Sequence, residues 1–423
     1  MPERAAVDRG VERVLDPREI GSTLDDVAGI GNRFTGTRGE QLCRDYIADR
    51  FRAAGLSSVT LEPFECLGYA PLEARCLLPG SGEELDCNPL QYSADAAVRA
   101  PAVYLGDATA ARLEQLERSG VELAGKVVVA HCEYAFDLAP LLSRWRVAAV
   151  VHIGTAPDGL LISSNAVMYP PPPGPPWTGR PLPYPAVTVS EPAGRRLVSA
   201  LSLDSSVEVA VSHRSWLAPR IAHNVVGEVP GSGSGSVILC AHYDSQADGA
   251  AVYDNGSGVA SLLEIARALV GSRPRRRVIV IASAAEEIGL WGATAYTRAH
   301  ARELSGAIAM INLDGVASSY PSRREIRSAE PQLRRLAGER ARRCGWLPDR
   351  IVPETGAFSD HAPFADAGVP SCLIWRPEYP YLVSRGDVRS LVDEDAVAQT
   401  AEVSCALARV LANEPDPLGR AGE

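Results

Sequence analysis

The stretch that most constrains this chain runs from Val237 to Gly258, VILCAHYDSQADGAAVYDNGSG. It opens as a short apolar run, Val237 to Ala241, and breaks into polar residues at His242 and Asp244. Asp254 follows, then Asn255-Gly256-Ser257-Gly258. Beyond Gly258, Val259, Leu262, Leu263, Ala266 and Leu269 recur with helical spacing and stop at Gly271. A buried strand that delivers a histidine, then a carboxylate at a helix start, is how an α/β protein builds a metal site. The rest of the chain is read as what completes, covers or feeds that site.

Other apolar runs end the same way. Val278–Ser283 runs into Glu286 and Glu287, and Ala307–Leu313 runs into Asp314. Phe358-Ser-Asp360-His361 leads to a strand over Ser371–Trp375, and a helix from about Asp393 to Leu411 closes the pattern. Ahead of the histidine strand, a glycine–serine run from Gly231 to Ser236 reads as a flexible turn after a strand at Asn224–Val229. A helix over Gly39–Ala54 and a short strand at Val59 come earlier, and Gln332–Cys344 reads as a polar helical stretch. Strands alternating with helices imply a mainly parallel, mixed sheet covered by helices on both faces. In such sheets ligands bind beyond the carboxyl ends of the strands, where His242, Glu286, Glu287 and Asp314 fall.

The chain divides by character. Residues 1–17 form a polar lead-in, 18–68 and 216–412 the strand–helix unit that carries these polar residues, 69–215 a β-rich insertion, and 413–423 a polar tail. Within the insertion, short apolar runs (Ala102–Leu105, Lys126–Ala130, Val147–Ile153, Ala186–Val189) flank a helical piece near Leu138–Arg146. They also flank a proline cluster from Pro170 to Trp177, which reads as a rigid loop or cover. His131 and His152 lie here without ligand spacing and read as structural.

Composition excludes several classes. A net charge of −10 argues against nucleic acid or an anionic membrane as the main partner. The nine cysteines contain no Cys-x-x-Cys and several lie in apolar runs, so they read as buried free thiols. The charged N-terminus has no apolar core like that of a signal peptide, and no segment approaches the ~18 apolar residues of a membrane span. A cytoplasmic protein is expected.

Carboxylates and imidazole suit zinc, manganese or cobalt. A carboxylate at a helix start, as Asp254 is, has both oxygens free to bridge two ions, which sit about 3.5–4 Å apart in such centres. Of the adjacent glutamates, which point in different directions, one can bind metal while its neighbour takes a proton from water. Asp244, two residues from His242 on the same side of an extended chain, could orient the imidazole.

The segments AHYDS, YDNGSG, ASAAEEIGLWGA, INLDG and FSDHAPFADAGVP are similar to those of the co-catalytic zinc aminopeptidase family. That family includes bacterial leucyl aminopeptidases, glutamate carboxypeptidase, glutaminyl cyclases and the transferrin receptor. The insertion resembles a protease-associated domain in GKVVVAHCEYAFDLAPLLSRWRVAAVVHIGTA and LPYPAVTVSEPAGRRLVSAL. The resemblance implies that His242 and Asp314 bind one zinc with the bridging Asp254, and that Glu287 binds a second. It makes Glu286 the general base, places Asp244 behind His242, and puts Asp360 in the pocket wall with His361 beside it. It also implies a hydrolase of peptides or small amides.

One stretch departs from the family. Where the family takes the second metal's last protein ligand from a histidine, Tyr379–Asp387 places Val383, and Leu382 stands where a tyrosine often aids the oxyanion. Three readings stay open. His361 substitutes as a ligand; or a site with one tight metal, and one weak or missing, still hydrolyses amides or runs a different acyl transfer; or the chain is a non-catalytic relative that binds through its insertion.

Overall fold

Ser236–His242 is buried at every position and lies between two parallel neighbours, Arg277–Ser283 and Ala307–Asn312. Ser371–Trp375 extends the parallel set beyond Ala307–Asn312. Burial on both faces is why these strands are continuous apolar runs with no polar alternation. The flanks mix direction: Glu325–Arg327 runs antiparallel to Ser371–Trp375, and Glu208–Val229 runs antiparallel to Arg277–Ser283. The result is the mixed, mainly parallel sheet expected. The computed structural model describes residues 14–132, 135, 138, 142, 145–166, 182–353 and 359–419. The proline cluster, most of the Leu138–Arg146 piece, Phe358 and the outermost parts of the lead-in and tail lie outside the described residues.

Alternate side chains of the histidine strand serve different cores. Val237, Leu239 and Ala241 join a cluster with residues of the helices Pro17–Ile30, Ser257–Leu269 and Glu394–Asn413. Ile238 and Cys240 join a smaller cluster with Ala293, Tyr296 and Phe364, from the helices Trp291–Ala299 and His361–Asp366. Helices thus cover both faces, and the sheet is fixed between two apolar layers.

The four-residue strand at Val59 and the strand beginning at Asn224 need correction. Ser57–Leu78 and Glu208–Val229 are strands of 22 residues each, paired antiparallel along most of their length. Their half-exposed positions mix polar and apolar side chains, so no apolar run marks them. They carry the sheet into residues 69–215, where Ala96–Asp107, Val127–His131, Ala149–Ile153 and Ala186–Val189 pair in parallel succession. Separate apolar clusters gather there. All nine cysteines are unpaired, and no helix among the described residues is long and apolar enough to cross a membrane.

Between the histidine strand and its helix the backbone turns tightly over Val252–Gly256. Asn255 clamps this turn: its Nδ2 donates to the Leu313 carbonyl at 2.9 Å, and its Oδ1 accepts from the Gly258 amide at 2.9 Å. Gly258 is required by proximity. A Cβ there would sit 2.2 Å from both Asn255 Oδ1 and the Leu313 carbonyl oxygen. The clamp brings the Asp254 turn against the chain just before Asp314. Gly258→Ala is expected to cost about 1–3 kcal/mol through this overpacking, read as a lower urea midpoint at unchanged m-value.

Candidate metal centre

Each polar group of interest stands just beyond a strand. His242 is the last residue of its strand, Glu286 and Glu287 follow Ser283, and Asp314 follows Asn312. They converge. His242 Nε2 lies 3.3 Å from Asp254 Oδ1, 3.3 Å from Asp314 Oδ1 and 3.9 Å from Glu286 Oε2. Ligand-type atoms of His242, Asp254 and Glu287 all lie within 4.8 Å of one another, and so do those of His242, Glu286 and Asp314.

Buried hydrogen bonds hold this arrangement. Asp387 Oδ1 and Oδ2 accept from the amides of Tyr253 and Asp254 at 2.8 and 3.0 Å, fixing the turn that presents Asp254. Ser359 Oγ donates to Asp314 Oδ2 at 2.5 Å, leaving Oδ1 toward the histidine. Arg33, fully buried, donates to the carbonyls of Tyr243, Ala250 and Ala251, the ends of the loop between His242 and Asp254. Gln246 Nε2 donates to Glu287 Oε2 at 2.8 Å.

Asp244 does more than its spacing implied. The imidazole Nδ1 meets the Asp244 backbone carbonyl at 3.3 Å, and its nearer carboxylate oxygen lies at 3.7 Å. The Asp244 carboxylate also accepts from the backbone amides of Glu286 and Glu287, at 3.1 and 3.2 Å, and so sets the turn that carries both acids. Asp360 is fully buried beneath the cluster, its Oδ2 accepting from Ser283 Oγ, and burial pushes its carboxyl up to about 6. His361 bonds toward Asn312 and lies outside both ligand groups, although its charge helps to lower Asp314. Gln246, Asp387, Arg33 and Ser359 were not singled out from the sequence. They act through burial and long-range pairing, which leave no spacing signal.

The electrostatics suit a cation. Burial disfavours charge on Glu286 and Glu287 and holds both well above the ordinary carboxylate range, with His242 opposing the shift. Burial also disfavours the His242 cation, but the charges of Glu286 and Asp314 outweigh it and raise the imidazole well above its usual value. Glu287 Oε1 is buried with no hydrogen-bond partner among the described residues. Crowded carboxylates, an orphaned carboxylate oxygen and an imidazole nitrogen facing them fit a borderline divalent ion such as zinc.

The surrounding carboxylates raise the His242 imidazole, so an ion binding its Nε2 competes with a proton. Zinc uptake is expected to release protons, and its apparent affinity to rise with pH through the neutral range. Calorimetric titration in buffers of different ionisation enthalpy measures the protons released, and a pH-independent affinity would contradict the assignment.

Residues 224–408 match the model described as peptidase family M28. Leupeptin-inactivating enzyme 1 of Streptomyces exfoliatus is 32% identical over 155 residues, 35% of this chain and 34% of the relative. Aminopeptidase YwaD of Bacillus subtilis is 33% identical over 151 residues, 33% of this chain and 32% of the relative. The chain thus spans about a third of the length of these curated relatives. The solved structure of BSAP, a zinc aminopeptidase from Bacillus subtilis, superposes with a TM-score of 0.72 at 20% identity, covering 96% of this chain and 97% of that one, which shows the fold. Residues 224–408, which carry the cluster at the strand ends, are thus similar to peptidase family M28.

Proposed function

We propose that the protein is a metal-dependent amide hydrolase of aminopeptidase type, acting on peptides or small amides. The observation that carries this reading is the His242 Nε2 atom set between Asp254 and Asp314, with Glu286 and Glu287 alongside. His242, Asp254 and Asp314 would hold one zinc ion, while Asp254 and Glu287 would offer donors to a second position. Zinc there supplies Lewis acidity to a substrate carbonyl and acidifies a water.

The chain's own groups do the rest. Glu286, raised by burial, takes the proton from the attacking water at a carboxylate oxygen and passes it to the leaving amine. Asp244 keeps Glu286 in place by binding its backbone amide. The surplus of carboxylates favours a substrate that brings positive charge, as a free α-amino group does, and agrees with the aminopeptidase class named for the relatives. The net charge of −10 disfavours nucleic acid and anionic membranes as partners, and nine unpaired thiols suit a reducing, cytoplasmic setting.

Glu286→Gln is expected to lower amide hydrolysis by at least about 10²-fold while bound zinc stays unchanged, since it removes the proton acceptor and keeps the side-chain shape. Unchanged turnover in that variant would refute its role as base. A purified protein that takes up no zinc from metal-replete buffer would remove the hydrolase reading altogether. Val383→His supplies an imidazole where the family resemblance places one. It is expected to raise the zinc content toward a second equivalent, measured by elemental analysis.

A further inference from the structure

Three buried amide side chains connect the insertion to the metal centre. Gln91 lies on the strand Cys87–Gln91 and pairs with Asn165 across the sheet of the insertion. Its Nε2 donates to Gln246 Oε1 at 3.0 Å and to Ser163 Oγ at 3.2 Å. Gln246 Nε2 in turn donates to Glu287 Oε2 at 2.8 Å. Asn165 Nδ2 donates to the backbone carbonyl of Glu287. Gln91, Asn165 and Gln246 are each at most 5% exposed.

The direction of this chain is forced. A backbone carbonyl only accepts, and Gln246 Nε2 also reaches that of Glu287 at 3.5 Å, so Gln246 must turn its NH₂ toward Glu287 and its carbonyl toward Gln91. Gln91 must then donate. Reversing any one amide puts two donors or two acceptors face to face in a dry site, which costs far more than a surface hydrogen bond. The chain engages Glu287 Oε2 and leaves Oε1 buried without a hydrogen-bond partner among the described residues.

The insertion also grips both loops that border the centre. Asn88 Nδ2 donates to Asp248 Oδ2 at 3.0 Å, and Arg385 Nε meets the other oxygen of Asp248 at 2.9 Å. Ser163 donates its backbone amide to the Val383 carbonyl at 2.7 Å, beside an antiparallel bridge between Ile162 and Ser384. The Gln91–Gln246 link is therefore held at both ends by fixed backbone.

We propose that Gln91 and Gln246 are positioning residues through which the insertion fixes Glu287 as a single-oxygen metal ligand, making the insertion a working part of the centre. This rests on the reading that Glu287 faces a bound ion. The test uses the full chain as wild type, Gln246→Leu, Gln91→Leu and, as a control, Arg99→Ala, which removes only an exposed ion pair with Glu208. Zinc affinity is measured by chelator competition, and ligand geometry by the visible absorption of the cobalt(II)-loaded protein. Gln246→Leu is expected to weaken affinity about 10–100-fold and to shift the cobalt spectrum. Gln91→Leu should move both in the same direction by a smaller factor, and Arg99→Ala should move neither.

Thermal unfolding of the metal-free proteins separates positioning from folding. Where Gln246→Leu fails to fold, Gln91→Leu decides, because it leaves the Gln246–Glu287 bond in place and removes only its orientation. Folded leucine variants with wild-type affinity and spectrum overturn the inference while leaving the metal reading intact. A wild type that binds neither zinc nor cobalt overturns the metal reading and this inference with it.

Discussion

Negative charge concentrated around one buried imidazole is the constraint on which the rest of this structure depends. Asp254, Asp314 and Glu286 all lie within 4 Å of His242 Nε2, and Glu287 stands close by. An isolated buried carboxylate is costly, and several together are costlier still unless a cation shares the space. The protein partly offsets that cost with fixed donors: Ser359 to Asp314, Gln246 to Glu287, and two backbone amides to Asp387 behind Asp254. The donors leave ligand atoms of all the acids converging near His242, which a preorganised cation site requires.

The parallel sheet explains why those acids can meet. Three adjacent strands, Arg277–Ser283, Ser236–His242 and Ala307–Asn312, end at the same edge, so the residues after each come together without any long excursion. The longest connection, between His242 and Asp254, needs more. There Arg33 caps the loop's backbone carbonyls from a fully buried position, and Asn255 ties its far end to Leu313. A guanidinium is suited to this because its donors fan out in one plane and its charge never leaves. The same positive charge favours the ionised form of Asp387, which binds the Asp254 turn.

Much of this was legible in the sequence, and the remainder was unreadable for identifiable reasons. Buried parallel strands announce themselves as apolar runs, so His242, Glu286, Glu287 and Asp314 could be placed at strand ends before any coordinates. The helix after Gly258 was equally plain from its spacing, and it begins within two residues of the expected start. The two 22-residue strands were not, because a half-exposed ribbon has no continuous apolar signature. Asp244 was placed behind the imidazole from its spacing, and its carboxylate lies 3.7 Å from Nδ1, but its bonds to the backbone of Glu286 and Glu287, far along the chain, left no signal. Gln91, Gln246 and Asp387 escaped notice for the same reason: each works by a contact that only the folded chain brings about.

At position 383 the backbone conformation is set by neighbours rather than by the side chain it carries. Val383 has φ of 53°, a left-handed conformation that a β-branched residue enters at a cost of roughly 1–2 kcal/mol. Such a conformation survives only where the surroundings impose it. They do so here from three directions. Ser163 holds the Val383 carbonyl, Asp387 is bound to the Asp254 turn through both oxygens, and Tyr379 stacks on Tyr253 with ring centroids 4.4 Å apart. The backbone is therefore dictated by the loop's neighbours and not by the residue at 383. A change from an imidazole to an isopropyl group at such a position removes a donor and leaves the architecture standing.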